Sequence, residues 1–136
     1  MKLVITILIV SAILVSSSKN QKRANFLGTA FIQYLEQLYI AKDVDRLNKI
    51  YADNYTLEEC GEHFNKTVVI KDCLQLESNA DASYKVSEEE FDGFELKFKV
   101  TTMVKHRNEH FDVYYVLHKT GNQLPSLIYN NFTYCK

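Results

Sequence analysis

The chain has 136 residues and a mass of 15.8 kDa, with 46% hydrophobic and 12% aromatic residues. A chain of this size and composition can bury the core of one domain, which excludes wholesale disorder. Its 16 basic and 17 acidic side chains give a net charge of −1 without a basic stripe, so we expect no nucleic-acid partner.

The first 18 residues have the layout of a secretory signal peptide. Met1 and Lys2 supply a positive start, Leu3–Val15 is almost wholly apolar, and Ser16–Ser18 offers small residues for cleavage. An uncleaved anchor is the alternative, but a spanning helix needs about 20 apolar residues and this run is shorter. We therefore expect residues 1–18 to be removed and the mature protein to be secreted into the extracellular space, without a membrane association.

Three tripeptides match the acceptor pattern for N-glycosylation. They begin at Asn54, Asn65 and Asn131, and each has threonine at its third position. Such tripeptides arise by chance, but three in one secreted chain predict that at least one carries a glycan. A glycosylated asparagine must face water, which constrains the fold.

The mature chain begins with helical patterns. Between Ala24 and Lys42 apolar residues recur at intervals of three and four, which gives a helix one apolar face. Asp43 is a candidate cap for a short second helix, whose apolar positions end at Tyr51. A third helix is predicted from about Lys66 to Leu76.

Strands follow these helices. Tyr55–Cys60 reads as a strand, and Gly61 can turn it into a short return strand through His63 and Phe64. After the third helix, apolar and polar residues alternate in four longer segments, the first two joined by an Asp-Gly turn at 92–93. These four strands are predicted at Tyr84–Phe91, Phe94–Val104, Phe111–His118 and Leu124–Tyr134. Together the patterns predict one α+β domain over about residues 24–135, in the order α-α-β-β-α-β-β-β-β.

This order resembles that of the nuclear transport factor 2-like family. The stretch from Phe31 through Ala41-Lys42-Asp43 to Leu57 is similar to the family's opening pair of helices and first strand, with Tyr51-Ala52-Asp53 as the entry into that strand. Cys60-Gly61 followed by Asn65-Lys66 resembles the small secreted members of the superfamily that are expanded in worms.

The resemblance implies a curved, mostly antiparallel sheet wrapped around a long N-terminal helix, the cone fold of the cystatin-like superfold, with a pocket inside. A true cystatin inhibitor would need a Gln-x-Val-x-Gly loop, and the sequence contains none. A lipocalin would need more strands than this length provides.

The resemblance also suggests a candidate active site. Ketosteroid-isomerase-like members place a tyrosine on the first helix and a carboxylate in the pocket, and Tyr34 and Glu59 match these positions. The second oxyanion donor of that site, an acid on a late strand, falls at Val113–Val116, where only Asp112 lies nearby. The alternative is that Tyr34 packs in the core and Glu59 is a solvated strand residue.

We therefore expect a secreted, non-catalytic protein that binds a small apolar ligand or a protein partner through its pocket or sheet face. An isomerase or dehydratase that uses Tyr34 and Glu59, and a structural homodimer formed through the sheet, are the alternatives. No cofactor is expected. His106 and His110 are spaced like metal ligands of a helix, but they flank a predicted hairpin turn, so no metal site is predicted either.

The three cysteines, Cys60, Cys73 and Cys135, allow three pairings in an oxidising compartment. In the cone fold that the resemblance implies, the first and last strands can lie side by side, which favours a Cys60–Cys135 bridge on the outer face. A Cys60–Cys73 bridge stays open as the alternative, because a single β-bulge would reverse the faces.

Overall fold

The computed structural model describes residues 26–75, 82–105, 108–119 and 125–133, so the predicted signal peptide lies outside the described residues. The helices of the described chain are α1 (Phe26–Ala41), α2 (Val44–Ile50) and α3 (Lys66–Leu74). Its strands are β1 (Tyr51–Glu59), β2 (Glu62–Asn65), β3 (Ala82–Phe91), β4 (Glu95–Val104), β5 (Glu109–His118) and β6 (Ser126–Phe132). The predicted α+β fold and its order of elements are confirmed.

The six strands form one sheet in the order β2-β1-β6-β5-β4-β3. Strand β1 runs parallel to β6, with Tyr51 opposite Leu127 and Glu59 opposite Phe132, whereas all other neighbours are antiparallel. The first long strand therefore lies beside the last, as the resemblance implied. Strands β3 to β6 form a meander, whereas the connection from β2 to β3, which includes α3, joins strands at opposite edges of the sheet.

Short polar side chains fix the ends of these elements. The Asp43 carboxylate accepts a hydrogen bond from the Arg46 backbone N–H at 3.2 Å and caps α2, as predicted. The Asn65 side chain caps α3 in the same way, accepting from the Val68 N–H at 3.0 Å. At the turn between β3 and β4, Gly93 has a φ of +95°, which explains why glycine follows aspartate there.

Helix α1 packs closely against β3 and β4. A Cβ atom on Gly28 would lie 2.8 Å from Phe98 Cγ and 2.9 Å from Val86 Cγ1, so only glycine permits this approach. One turn further on, the ring of Phe31 meets Phe98 edge-on at a centroid distance of 6.4 Å. The Gly28 N–H also donates to Glu89 Oε1 at 2.6 Å, which ties the start of the helix to β3.

Strand β1 begins earlier than predicted. The sequence placed Tyr51 on the apolar face of the second helix, but the helix ends at Ile50 and Tyr51 opens the strand. The side chains of Tyr55, Leu57 and Glu59 are buried, while Asn54 and Cys60 are exposed, so Asn54 and Cys60 lie on the outward face of β1. Glu59 is only 7% exposed, and the expectation that it is a solvated strand residue was wrong.

Among the described helices, none combines the length and the apolar character needed to cross a bilayer.

Candidate functional site

A cavity of about 260 Å³ lies at the edge of the sheet where α1 begins. Of the described residues that line it, only Tyr34 and Lys119 carry a polar group in the side chain. The others are apolar: Leu27, Ala30, Phe31, Ile50, Phe91, Leu96 and Pro125. Since Leu27 and Phe91 are 39% and 43% exposed, the cavity opens to solvent beside them.

The strand order explains why these residues meet. In a meander of antiparallel strands, the end of β3, the start of β4, the end of β5 and the start of β6 all lie at one edge of the sheet. Phe91 and Leu96 lie at the first two of these positions, while Lys119 directly follows β5 and Pro125 directly precedes β6. Because β1 is parallel to β6, Ile50 at its start reaches the same edge. Helix α1 closes the cavity from the other side.

A second cavity of about 240 Å³ adjoins the first, and the two share Tyr34, Ile50 and Pro125 as lining residues. Its two further lining residues are Arg46 and Lys49 of α2. We call the first space the apolar cavity and the second the basic recess. The Tyr34 side chain lines both of them.

The structure does not bring the two candidate catalytic residues into this site. Tyr34 lines the apolar cavity, but Glu59 is not among the residues that line either space. Glu59 lies opposite Phe132 at the far end of β1, a strand of nine residues that spans roughly 25 Å at about 3.3 Å per residue. None of the described residues that line the two spaces is acidic, so no carboxylate faces Tyr34 there.

Sequence reasoning missed a cluster of tyrosines in the core. The Tyr39 and Tyr51 hydroxyls are hydrogen-bonded at 2.6 Å, and Tyr55 meets Tyr51 edge-on at a centroid distance of 4.8 Å. Tyr115 stacks on Phe98 at 5.0 Å. Burial raises the pKa of each of these tyrosines well above its ordinary value, because the phenolate form is disfavoured away from water.

One further polar side chain, that of Asn130, lies among these aromatic rings. Asn130 is fully buried, accepts a hydrogen bond from the Tyr55 hydroxyl at 2.7 Å and donates to the Tyr114 carbonyl at 3.1 Å, which joins β1, β6 and β5. The Tyr115 hydroxyl is buried, and it has no hydrogen-bond partner among the described residues. The sequence indicated these positions only through the alternation of residues along each strand, which places Asn130 and Tyr115 on the inward face.

The described histidines, His63, His110 and His118, line neither cavity. His118 contacts Glu95 at 3.1 Å, and His63 lies 3.9 Å from Glu58. His110 is exposed on β5, whereas His106 is outside the described residues. Over the part of the chain that the structure describes, no group of three or more histidine, cysteine or acidic side chains could hold a metal ion.

The structure decides one of the open questions about the cysteines. Cys73 is a buried free thiol on α3, so the alternative Cys60–Cys73 pairing was wrong. Burial also raises the pKa of this thiol, which keeps it protonated and unreactive at neutral pH. Cys135 lies outside the described residues, and the Cys60–Cys135 bridge stays a prediction.

The three glycosylation candidates differ in their surroundings. Asn54 and Asn65 are exposed, although the Asn65 side chain also caps α3. Asn131 is half-buried, and its side-chain amide donates to the Tyr129 hydroxyl at 3.0 Å.

Comparisons with known proteins indicate a family and a fold. A sequence profile described as the NTF2-like domain matches residues 25–135. An NTF2-like protein of unknown function from Silicibacter pomeroyi DSS-3 superposes with a TM-score of 0.60 at 14% identity, over 77% of this chain and 90% of that one. An NTF2-like protein from Cytophaga hutchinsonii ATCC 33406 gives 0.57 at 15% identity, over 84% and 98%. None of the curated proteins matches the chain significantly.

Proposed function

We propose that this chain, which belongs to the NTF2-like domain family, binds a small apolar molecule in the apolar cavity and does not act as an enzyme. The apolar lining is the observation that carries the proposal. Each methylene group that a ligand buries there contributes about 0.8 kcal/mol to binding.

Among the described lining residues Tyr34 has no acidic partner, which weighs against the isomerase alternative. That chemistry needs a carboxylate within hydrogen-bond reach of the proton that it moves. The described lining residues supply hydroxyl, ammonium and guanidinium groups but no carboxylate. A homodimer formed through the sheet stays a prediction beside the binding proposal.

Filling the cavity tests the proposal. Ala30 is an exposed residue of α1 that lines the apolar cavity, so Ala30→Trp would place an indole ring in the ligand's space without disturbing the buried core. We expect the affinity for N-phenylnaphthylamine, a neutral fluorescent probe, to fall about tenfold or more. Fluorescence titration measures this change.

Gln37→Trp is the matched control, because Gln37 is exposed on the same helix and does not line the cavity. This variant is expected to bind the probe as the wild type does. Unchanged probe binding in Ala30→Trp, or equal losses in both variants, would refute the cavity as the binding site.

We further propose that the protein acts outside the cell as a glycoprotein of the small secreted type. The signal-like residues 1–18 and the glycosylation tripeptides support this proposal, and the exposure of Asn54 and Asn65 is compatible with it. The buried free state of Cys73 leaves Cys60 and Cys135 as the pair that an oxidising compartment would join.

Non-reducing peptide mapping of the protein collected from the medium of expressing cells tests both features. We expect a chain that begins near residue 19, a peptide linked through Cys60 and Cys135, and a mass decrease on enzymatic deglycosylation at one or more of the three asparagines. Recovery of the first 18 residues, or of Cys73 in a linked peptide, would contradict the prediction.

A further inference from the structure

We propose that the ligand is a medium-chain carboxylic acid, an amphiphile with an apolar tail and one anionic head group. This inference rests on the binding function proposed above and adds to it the charge and the size of the ligand. The tail would occupy the apolar cavity, and the carboxylate would lie among the basic side chains at the junction with the basic recess.

The charged side chains among the described residues that line the two spaces are all basic. Arg46, Lys49 and Lys119 are the charged side chains among the described lining residues. The whole chain has a net charge of −1, so its overall balance does not explain a lining that is only basic. An anionic group placed there would be attracted from two sides, because Arg46 and Lys49 come from α2 and Lys119 directly follows β5.

Two of these basic side chains, Lys49 and Lys119, form no ion pair with a described carboxylate. Lys66, Lys97 and Lys99 each form an ion pair with a carboxylate elsewhere on the fold. Over the described chain, Lys49 and Lys119 form no such pair, whereas Arg46 lies 3.6 Å from Asp43. Lys49 and Lys119 are therefore the positive charges at this site that a ligand can neutralise without breaking an existing ion pair.

The shared wall supplies a hydrogen-bond donor at the junction. Of the three residues that line both spaces, Tyr34, Ile50 and Pro125, only Tyr34 carries a side-chain donor. A carboxylate accepts hydrogen bonds from neutral hydroxyls and from ammonium groups, and bonds to a charged acceptor are stronger than neutral ones. The arrangement thus fits one compact anionic group at the end of an apolar tail.

The volume of the apolar cavity limits the tail. At about 260 Å³ it lies below the roughly 300–1,000 Å³ typical of sites for drug-sized ligands. A long-chain acid or a two-chain lipid would therefore leave much of its apolar surface in water. A medium-chain acid can bury most of its tail.

Three probes with the same tail and different head groups test the inference: octanoate, octanol and octylamine. Isothermal titration calorimetry on the folded protein should give octanoate an affinity about tenfold higher than octanol, and octylamine an affinity lower than both. Because the preference is electrostatic, added salt should weaken octanoate binding and leave octanol binding nearly unchanged.

The double variant Lys49→Gln/Lys119→Gln should lower octanoate affinity to that of octanol, without changing octanol binding. Lys85→Gln is the matched control, since Lys85 is exposed on β3 and lines neither space. Equal affinities for all three probes would overturn the anionic head group and leave the apolar-ligand function standing. Failure of all three probes to bind would refute both proposals.

A membrane surface that contains anionic lipids presents the same negative charge as a free carboxylic acid. A vesicle-binding assay distinguishes these two ligands. We expect no measurable binding to phosphatidylserine-containing vesicles under conditions in which octanoate binds. Binding to these vesicles without binding to octanoate would replace the free-acid proposal with a membrane interaction.

Discussion

Raising the pH above about 10 is expected to unfold this protein cooperatively, because four tyrosines lie where the phenolate form is disfavoured. Burial raises the pKa of Tyr39, Tyr51, Tyr55 and Tyr115 above the ordinary value of 10.0. In the unfolded chain these groups lose their protons near pH 10, whereas in the folded chain they keep them. The unfolded state then binds fewer protons, so stability falls as the pH rises.

The expected effect is large because the four contributions act together. Each buried tyrosine shifts the folding equilibrium about tenfold toward the unfolded state for every pH unit above 10. Four such groups shift it by about four powers of ten per unit, and small domains have equilibrium constants of about 10³–10⁸. The Cys73 thiol, whose pKa is raised above its ordinary value of 9.0, adds to the loss from a slightly lower pH.

Urea unfolding followed by circular dichroism at a series of pH values measures this slope. Tyr115→Phe should remove about a quarter of it, and should be neutral or stabilising at pH 7, because the hydroxyl that it deletes is buried without a described partner. Tyr114→Phe is the control, since Tyr114 is 39% exposed on the other face of β5. Stability that stays constant from pH 8 to 11 would show that the tyrosine hydroxyls are not buried as described.

Replacing Phe98 with alanine is expected to lower the free energy of unfolding by about 3–5 kcal/mol. The Phe98 ring is 2% exposed, stacks on Tyr115 and meets Phe31 edge-on. It also fills the space that Gly28 leaves for it, so its loss opens a void between α1 and the sheet. Urea denaturation measures this loss in the free energy of unfolding, and we expect the m-value to be unchanged.

Phe26→Ala is the matched control, because Phe26 is 66% exposed and should change the free energy of unfolding by no more than about 0.5 kcal/mol. Since Phe31 lines the apolar cavity and rests on Phe98, the Phe98 variant should also bind N-phenylnaphthylamine more weakly. A cost below about 1 kcal/mol would mean that the core closes around the void.

Local sequence signals predicted the helices, strands and turns because each of these signals depends only on neighbouring residues. The cap at Asp43, the turn at Gly93 and the alternation along β4 are decided within a few residues of the chain. The periodicity missed the early start of β1 because Tyr51 fits the helical period of α2 equally well, although the family resemblance gave Tyr51-Ala52-Asp53 as the entry into the strand. Tyr51 belongs to the strand because it pairs with Leu127 of β6, and this long-range contact is not visible in a local sequence pattern.

The candidate site was only partly predictable for the same reason. Tyr34 was named from the resemblance, and the structure places it on the wall shared by the two spaces. Lys49 and Lys119 carried no signal, since a lone lysine in a sequence is usually a solvated surface residue. Glu59 was matched by position along the chain, but the length of β1 separates it from the cavity.

The sequence by itself determined the α+β order and the family resemblance, because periodicity and turn chemistry are local. Only the tertiary structure decided which side chains meet. The tyrosines of the core come from α1, β1 and β5, and the basic side chains at the cavity come from α2 and from Lys119, which directly follows β5. These groups are brought together by the crossover that places β1 beside β6 and by the close approach of α1 at Gly28. Both features depend on packing between distant segments, which no short stretch of sequence records.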